Sequence, residues 1–297
     1  LTGAFHGRTE RPGRFSDSTR KSYKSHLASF RDRDDLITVT PNDIGELEQA
    51  FADAEARGEF IEAMFLEPVM GEGNPGMAVT PEFYARAREL TLAHGALLLV
   101  DSIQAGLRTH GVLSIVDYPG FETLDPPDME TYSKAINAGQ YPLSVLAVAP
   151  RAEELYRKGI YGNTMSTNPR AMDVAVAVLR SLTPELRQNV RERGAEMVAK
   201  LEALKEELGG AIVKVQGTGL LISAELDPER FKSYGANSSE EWIRQRGVNV
   251  VHGGANALRY TPGFSLTSAE VDLMVEATRQ ALLRGPQKAA DPASEAA

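Results

Sequence analysis

The middle of the chain carries an acid and a lysine, each of which follows a short apolar run. Asp101 ends the run at residues 97–100, Gln104 comes shortly after it, and Lys134 follows residues 129–133. Apolar runs of this length, bounded by turn residues, are typical of strands buried in a parallel sheet. Because ligands of open α/β sheets bind beyond the carboxyl ends of the strands, we expect Asp101 and Gln104 to point into a ligand site.

An acid at one strand end and a lysine after a later strand suit pyridoxal phosphate chemistry. Asp101 would keep the pyridine nitrogen of the cofactor protonated, and Lys134 would form the Schiff base. Either residue alone has a simpler explanation, since an aspartate that closes a strand is commonly a turn or cap residue and a lone lysine is commonly solvated. The further motifs of the chain are what favour the cofactor.

The elements predicted around these residues alternate between helix and strand. Before Asp101 they are a helix at 44–56, a strand at 60–66, a loop rich in glycine and proline at 69–76 and a helix that begins at Thr80 and Pro81. After Asp101 they are a strand at 129–133 and a further buried strand at 143–149, whereas residues 8–33 are expected to form a long surface excursion. This alternation predicts an α/β fold with a mostly parallel sheet and helices on both faces.

The pattern changes in the last third of the chain, where strands cluster before a closing helix. The predictions there are a helix at 183–208, strands at 212–215, 220–226, 248–251 and 257–261, and a last helix with a capping box from Thr267 to Glu270. This order is typical of a smaller α+β domain. We therefore predict a large cofactor-binding domain at 1–165, a small domain at 166–286 and a flexible tail at 287–297.

Composition and charge restrict the partners of the chain. The 297 residues carry a net charge of −9 with acids and bases interspersed, which disfavours nucleic acid or an anionic membrane as a partner. The chain contains no cysteine, as expected for a protein of the reducing cytoplasm, and no apolar run long enough to span a bilayer. Its histidines (His6, His26, His94, His110 and His252) lack metal-ligand spacing, so we interpret them as non-catalytic and predict no metal site.

An ordered set of motifs resembles the class III aminotransferases, a fold-type I pyridoxal phosphate family that includes ornithine, 4-aminobutyrate and acetylornithine enzymes. The motifs are Phe5-His6-Gly7-Arg8-Thr9, Glu67-Pro-Val-Met-Gly-Glu-Gly, Asp101-Ser-Ile-Gln, Ser133-Lys134-Ala135, Asn163-Thr164-Met165 with Asn168-Pro169, and Leu258-Arg259-Tyr260. Each motif alone is weakly specific, but the set extends from Phe5 to about Leu283 and so covers nearly the whole chain.

The resemblance implies a role for each cofactor-binding residue. Lys134 would hold the cofactor and then move the proton between the substrate carbon and the cofactor carbon, and Asp101 would pair with the pyridine nitrogen. Ile103 would pack on one face of the ring and Phe5 would stack on the other. Gln104 would donate a hydrogen bond to the phenolic oxygen of the cofactor.

The resemblance also implies shared active sites and a substrate clamp. Thr164 would bind the phosphate of the neighbouring subunit's cofactor, so we expect a homodimer. Arg259 would hold a substrate carboxylate in a bidentate manner, and Glu72 would pair with Arg259 when an uncharged substrate end is bound. Alternatively, Thr164 caps the helix that follows it, and Glu72 forms only a structural ion pair with Arg259.

The chain departs from the family pattern at several places. Ser102 stands where the family usually has an acid, and Met70 stands where it usually has a glutamine. The family also carries an N-terminal portion before the motif at Phe5, including the loop that cradles the cofactor phosphate, and the first residue here is Leu1. We therefore expect either a fragment of a longer protein or a truncated form that compensates through its dimer interface.

The activity implied by the resemblance is that of a cytoplasmic aminotransferase. It would transfer an amino group from a donor with a terminal amine, such as an ornithine-, lysine- or 4-aminobutyrate-like molecule, with glutamate and 2-oxoglutarate as the other pair. The pair of Arg259 and Glu72 favours such donors. Two alternatives remain: a pyridoxal phosphate-dependent aminomutase or lyase of the same fold, and a non-catalytic dimeric fragment.

Overall fold

The structure is a computed structural model that describes residues 1–26, 35–158 and 166–288. The chain divides into two compact units, which we describe one at a time. The first comprises Leu1–Gly73 and Ala78–Pro184, and the second comprises Asn74–Met77 and the chain from Glu185 onward. The predicted cofactor-binding domain at 1–165, small domain at 166–286 and flexible tail at 287–297 stay predictions, and residues 289–297 lie outside the described residues.

The first unit contains a four-stranded sheet that is parallel over its first three strands. In spatial order the strands are β1 (Ala63–Leu66), β2 (Leu97–Asp101), β3 (Met129–Tyr132) and β4 (Val145–Val148), the last being antiparallel. The register pairs Leu66 with Val100 and Asp101 with Thr131, so β1, β2 and β3 end at the same edge. The predicted mostly parallel sheet is confirmed.

Capping residues define two of the helices that connect these strands. The helices of the first unit are α1 (Glu10–Phe15), α2 (Asp17–His26), α3 (Ile44–Ala56), α4 (Pro81–Ala93), α5 (Pro150–Glu153) and α6 (Pro169–Ser181). The side chain of Asp43 caps α3, and the hydroxyl of Thr80 caps α4, where Pro81 occupies the first turn. The helices predicted at 44–56 and after Thr80 are confirmed.

The long surface excursion expected at 8–33 contains two helices, α1 and α2, in the part that the structure describes. The helix α2 buries none of its residues, so its sequence lacks the apolar periodicity by which helices are recognised. Asp17 in its first turn and Lys24 and His26 in its last turn suit the helix dipole instead. Residues 27–33 lie outside the described residues.

The strand predicted at 143–149 is present as β4, but the prediction that it is buried is wrong. All four residues of β4 are exposed, and Leu146 keeps 51% of its surface accessible. Among the described strands, β4 is hydrogen-bonded to β3 alone and stands at the end of the sheet. An apolar sequence predicts a strand, but burial also requires neighbours on both sides.

The second unit is built on an antiparallel sheet. Its elements are α7 (Pro184–Glu207), β5 (Ile212–Thr218), β6 (Leu221–Leu226), α8 (Ser239–Arg244), β7 (Val251–Gly253), β8 (Ala257–Tyr260) and α9 (Ser268–Arg284), with the strands in the order β5-β6-β8-β7. Its core includes Met197, Ile222, Tyr260 and Val271, all fully buried. The predicted α+β character and the capping box from Thr267 to Glu270 are confirmed.

Within the residues that the structure describes, no helix combines the length and the apolar character needed to cross a bilayer.

Candidate active site

The edge at which the parallel strands end carries a group of ionisable side chains. Glu67 directly follows β1, Asp101 is the last residue of β2, and Lys134 stands two residues after the end of β3. Both Asp101 and Lys134 act electrostatically on Glu67, which shows that the three side chains share one region of the first unit. Sequence analysis predicts Asp101 and Lys134 at such an edge, and the topology brings them there.

Asp101 is buried and its carboxylate is held by three donors. The Nδ1 atom of His6 lies 2.8 Å from Oδ2, while Oδ1 accepts a hydrogen bond from the backbone N–H of Ile103 at 3.1 Å and one from the hydroxyl of Thr131 at 3.3 Å. A carboxylate offers about four acceptor positions, so these bonds leave room for one more donor. The arrangement fixes the orientation of the acid before any ligand binds.

His6 has a role that the sequence does not reveal. Its side chain is 3% exposed and contacts Asp101, so His6 acts on the acid as a positioning residue. The interpretation of His6 as non-catalytic stays a prediction. The described residues contain no group of three or more histidine, cysteine or acidic side chains that could hold a metal ion. The one available signal was the position of His6 directly after Phe5.

Lys134 occupies a strained backbone conformation. It begins a 3₁₀ turn, Lys134–Asn137, with φ of 45°, in the left-handed region that non-glycine residues rarely adopt. The hydroxyl of Ser133 donates to the carbonyl of Leu143 at 2.5 Å, which holds the turn at its start. The Lys134 side chain is exposed, so its amine is accessible. Backbone strain of this kind is concentrated at functional sites.

Glu67 is a second buried acid beside Asp101. Its carboxylate accepts hydrogen bonds from the backbone N–H of Phe5 at 2.9 Å and of Gly71 at 3.2 Å. Burial, reinforced by the negative charge of Asp101, raises the pKa of Glu67 to about 8, although these hydrogen bonds and the positive charge of Lys134 oppose the rise. Glu67 therefore retains its proton at neutral pH and joins the segment at Phe5 to the loop after β1.

Gln104 packs against the backbone of the loop after β1. A Cβ atom added to Gly71 would lie 2.2 Å from Cδ of Gln104, so only glycine permits this approach. Gln104 and Ile103 are both half-buried in the turn after Asp101, and their roles toward a cofactor stay predictions. Phe5 is half-buried as well, and the guanidinium of Arg8 lies 5.2 Å from the centre of its ring.

The other three predicted site residues either lie outside the described residues or are divided between the two units. Thr164 lies outside the described residues. Glu72 belongs to the first unit, whereas Arg259 lies on β8 of the second unit, where it pairs with Ser223 and Val251. The roles assigned to Thr164, Glu72 and Arg259 stay predictions.

Parallel strands that end in Glu67, Asp101 and the turn at Lys134, with a separate antiparallel sheet in the second unit, define the fold of the fold-type I pyridoxal phosphate transferases. The chain belongs to the class-III aminotransferase family, whose family model, described as Aminotransferase class-III, matches residues 1–282.

Individual relatives agree with this assignment. The chain is 32% identical to the acetylornithine aminotransferase of Xanthomonas campestris pv. campestris over 272 residues, which are 91% of this chain and 62% of that protein. It also resembles the crystal structure of the ornithine aminotransferase from Toxoplasma gondii ME49, with a TM-score of 0.78 and 26% identity over 95% of this chain and 63% of that one.

A second structure of the Toxoplasma gondii enzyme is reported with partial occupancy of PLP at its active site. The match has a TM-score of 0.75 and 25% identity, and it covers 95% of this chain and 63% of the Toxoplasma gondii chain. The chain thus spans less than two thirds of the length of these relatives.

Proposed function

We propose that this chain carries the reaction centre of a pyridoxal phosphate-dependent aminotransferase. The observation that carries the proposal is the meeting of Asp101 and the Lys134 turn at one sheet edge, where both act on the buried Glu67. A fixed acid and an accessible amine at such an edge are the two groups on which this cofactor depends. Membership in the class-III aminotransferase family supports the same reaction.

The residues present fit pyridoxal phosphate. Asp101 has three donors on its carboxylate and one acceptor position left, which matches the single N–H of a protonated pyridine. Lys134 is exposed at the same edge, so its amine can reach an aldehyde. Gly71 lets the end of the Gln104 side chain approach the loop backbone closely.

When bound, pyridoxal phosphate supplies an electron sink for the negative charge that develops at the substrate carbon. Asp101 keeps the ring nitrogen protonated, and His6 holds Asp101 in the orientation to do so. Lys134 would hold the cofactor through Nζ, and its amine would move the proton between the substrate carbon and the cofactor carbon. Phe5 and Ile103 would hold the ring between them, and Gln104 would donate a hydrogen bond to the cofactor.

The substrates in this proposal are an amine and a 2-oxo acid. Arg259 binds a carboxylate of the substrate, and Glu72 neutralises Arg259 when the donor presents an uncharged end. The names of the relatives, acetylornithine and ornithine aminotransferase, support a donor with a terminal amine. Glutamate and 2-oxoglutarate form the other pair.

The proposal includes a cytoplasmic homodimer in which Thr164 reaches the cofactor phosphate of the neighbouring subunit. An apolar stripe on α6 supports a contact between subunits, because Met172, Val176 and Leu179 recur at helical spacing and are 38%, 45% and 42% exposed. The cofactor-binding domain at 1–165, the small domain at 166–286 and the tail at 287–297 complete the proposal.

Incubation of the chain with pyridoxal phosphate, a donor and 2-oxoglutarate tests the activity. Ornithine and N-acetylornithine serve as donors, and glutamate formation is measured. We expect glutamate only when donor and oxo acid are both present, and its loss in Asp101→Asn. No glutamate with any terminal amine contradicts the proposal, and rearrangement of the donor without an oxo acid identifies an aminomutase instead.

A further inference from the structure

A third buried acid, Glu130, lies next to the candidate active site without touching it. Glu130 is 3% exposed on β3. Its Oε1 atom accepts a hydrogen bond from the hydroxyl of Ser102 at 2.6 Å and one from the backbone N–H of Ile115 at 3.1 Å. Its Oε2 atom accepts a hydrogen bond from the hydroxyl of Ser114 at 2.7 Å. All these donors come from the segment that follows β2, so Glu130 joins that segment to β3.

The ends of β2 and β3 are held together on both faces of the sheet. Successive side chains of a strand point to opposite faces, so Glu130 and Thr131 face different sides. On one face Thr131 donates to Asp101, and on the other Ser102 donates to Glu130. A backbone bond from the N–H of Ser102 to the carbonyl of Thr131, 3.0 Å long, lies between them. The strand ends that carry Asp101 and lead to Lys134 are therefore fixed as one piece.

The acid on this face comes from β3, whereas position 102 holds a serine. The resemblance to the family predicts an acid at 102, and the contact of 2.6 Å shows why serine fits here. An acid at 102 would place a second carboxyl against Glu130, and two buried carboxylates in contact repel each other. Two acids at these positions would repel each other unless one of them kept its proton.

We propose that Glu130 is a positioning residue for the reaction centre, a role that rests on the proposed function. It holds the segment from Asp101 to Gln104 in register with the strand that leads to Lys134. In this chain the acid of that face stands at position 130, and Ser102 is its hydrogen-bond donor.

The groups that hydrogen-bond to Glu130 are all neutral donors. Burial raises the pKa of Glu130, and the groups that oppose the rise are the hydroxyls of Ser102, Ser114 and Tyr132 and the backbone N–H of Ile115. Neutral donors can hold the carboxyl in one orientation whether or not it carries a proton, because a hydroxyl both donates and accepts.

The experiment exchanges the acid and the serine between positions 130 and 102. The variants are Glu130→Ser, Ser102→Glu and the two combined, all in the full chain. Glu130→Gln keeps the shape and serves if Glu130→Ser fails to fold. Glu122→Gln is the control, since Glu122 is exposed in the same unit and accepts the N–H of Gly120 at 2.8 Å. Thermal unfolding without cofactor and the affinity for pyridoxal phosphate, by absorbance titration, are measured for each.

We expect each single change to weaken cofactor affinity about tenfold, because hydrogen bonds to a carboxylate contribute about that factor. Ser102→Glu and Glu130→Ser should each lower the unfolding temperature, and the combined variant should recover most of both losses. Glu122→Gln should behave like the wild type. The cofactor affinity distinguishes positioning from a purely structural role, because a purely structural residue would change the unfolding temperature and leave that affinity unchanged.

Two results overturn the proposal while leaving the proposed function intact. In one, the single variants lose thermal stability but bind the cofactor with wild-type affinity and spectrum. In the other, the losses of the two changes add in the combined variant. If the wild-type chain itself binds no pyridoxal phosphate, the proposed function fails, and the positioning role falls with it.

Discussion

The imidazole of His6 lies 2.8 Å from the carboxylate of Asp101, and the two residues come from distant parts of the sequence. Both side chains are nearly inaccessible to solvent, at 3% and 7%. A hydrogen bond to a buried carboxylate is among the stronger ones in proteins. Asp101 is thereby held in one orientation by a residue that precedes the first strand of the sheet.

Loss of the imidazole should reduce turnover more than it reduces folding. We expect His6→Leu to lower kcat by roughly 10- to 100-fold, the worth of a hydrogen bond to a charged group. His6→Asn, whose amide can take the position of Nδ1, should retain more of the activity. The measurement is kcat and the unfolding temperature for both variants, and equal kcat values for Leu and Asn at position 6 would contradict the account.

Glu67 should make the stability of the fold depend on pH. The carboxyl of Glu67 has an ordinary pKa of 4.5, which burial beside Asp101 raises to about 8 in the folded chain. Between these values the folded state binds the extra proton, so the free energy of unfolding falls as pH rises, by at most about 1.4 kcal/mol per pH unit. Below pH 4.5 the contribution of Glu67 to the free energy of unfolding no longer changes with pH and is fully present.

Glu67→Gln cannot ionise, so its unfolding free energy should vary less from about pH 5 to about pH 9 than that of the wild type. Denaturant unfolding at several pH values measures both curves. Glu122→Gln, an exposed acid of the same unit, should follow the wild-type curve. Parallel curves for Glu67→Gln and the wild type are the contrary result.

Gly71→Ala should displace Gln104 without unfolding the protein. The added Cβ would meet the end of the Gln104 side chain at 2.2 Å, and a flexible side chain can move away. We expect weaker binding of pyridoxal phosphate, and no further loss when Gln104→Ala is added, because both changes remove the same contact. Gly45→Ala is the control, since its Cβ would meet Oδ1 of Asp43 at 3.5 Å, an ordinary contact. If the losses of cofactor affinity in Gly71→Ala and Gln104→Ala added in the combined variant, Gly71 would affect binding by a route other than Gln104.

The apolar stripe of α6 should govern assembly. Val176 is 45% exposed, so Val176→Asp should leave the unfolding temperature nearly unchanged and convert a dimer to a monomer. Leu273→Asp, at a position 60% exposed on α9, is the matched control and should leave the dimer intact. Sedimentation equilibrium gives the mass of each. A dimer for all three proteins would exclude α6 from the interface.

The sequence predicts those elements whose signals are local. The apolar run that ends at Asp101 and the cap formed by Thr80 and Pro81 depend on neighbouring residues, and both are found as expected. The exposure of Leu146 could not be predicted in this way, because it depends on which strands lie beside β4. The helix α2 was missed because none of its residues is buried.

The candidate site shows the same limit. Asp101, Gln104 and Lys134 stand out because they follow strands, so their type and position can be recognised. The contacts of His6 with Asp101 and of Glu130 with Ser102 join residues far apart in sequence. The register of β2 and β3 brings the second pair together, whereas the first depends on where the segment before α1 packs. Glu67 lies within a recognisable motif, but its burial, which raises its pKa, becomes visible only in the folded chain.

Covalent attachment of the cofactor tests the central claim most directly. The chain is mixed with pyridoxal phosphate, reduced with borohydride and digested, and the modified lysine is located by mass spectrometry. We predict modification at Lys134 in the wild type and its absence in Lys134→Ala, with Lys205→Ala modified like the wild type. Modification spread over surface lysines, or unchanged in Lys134→Ala, would contradict the account.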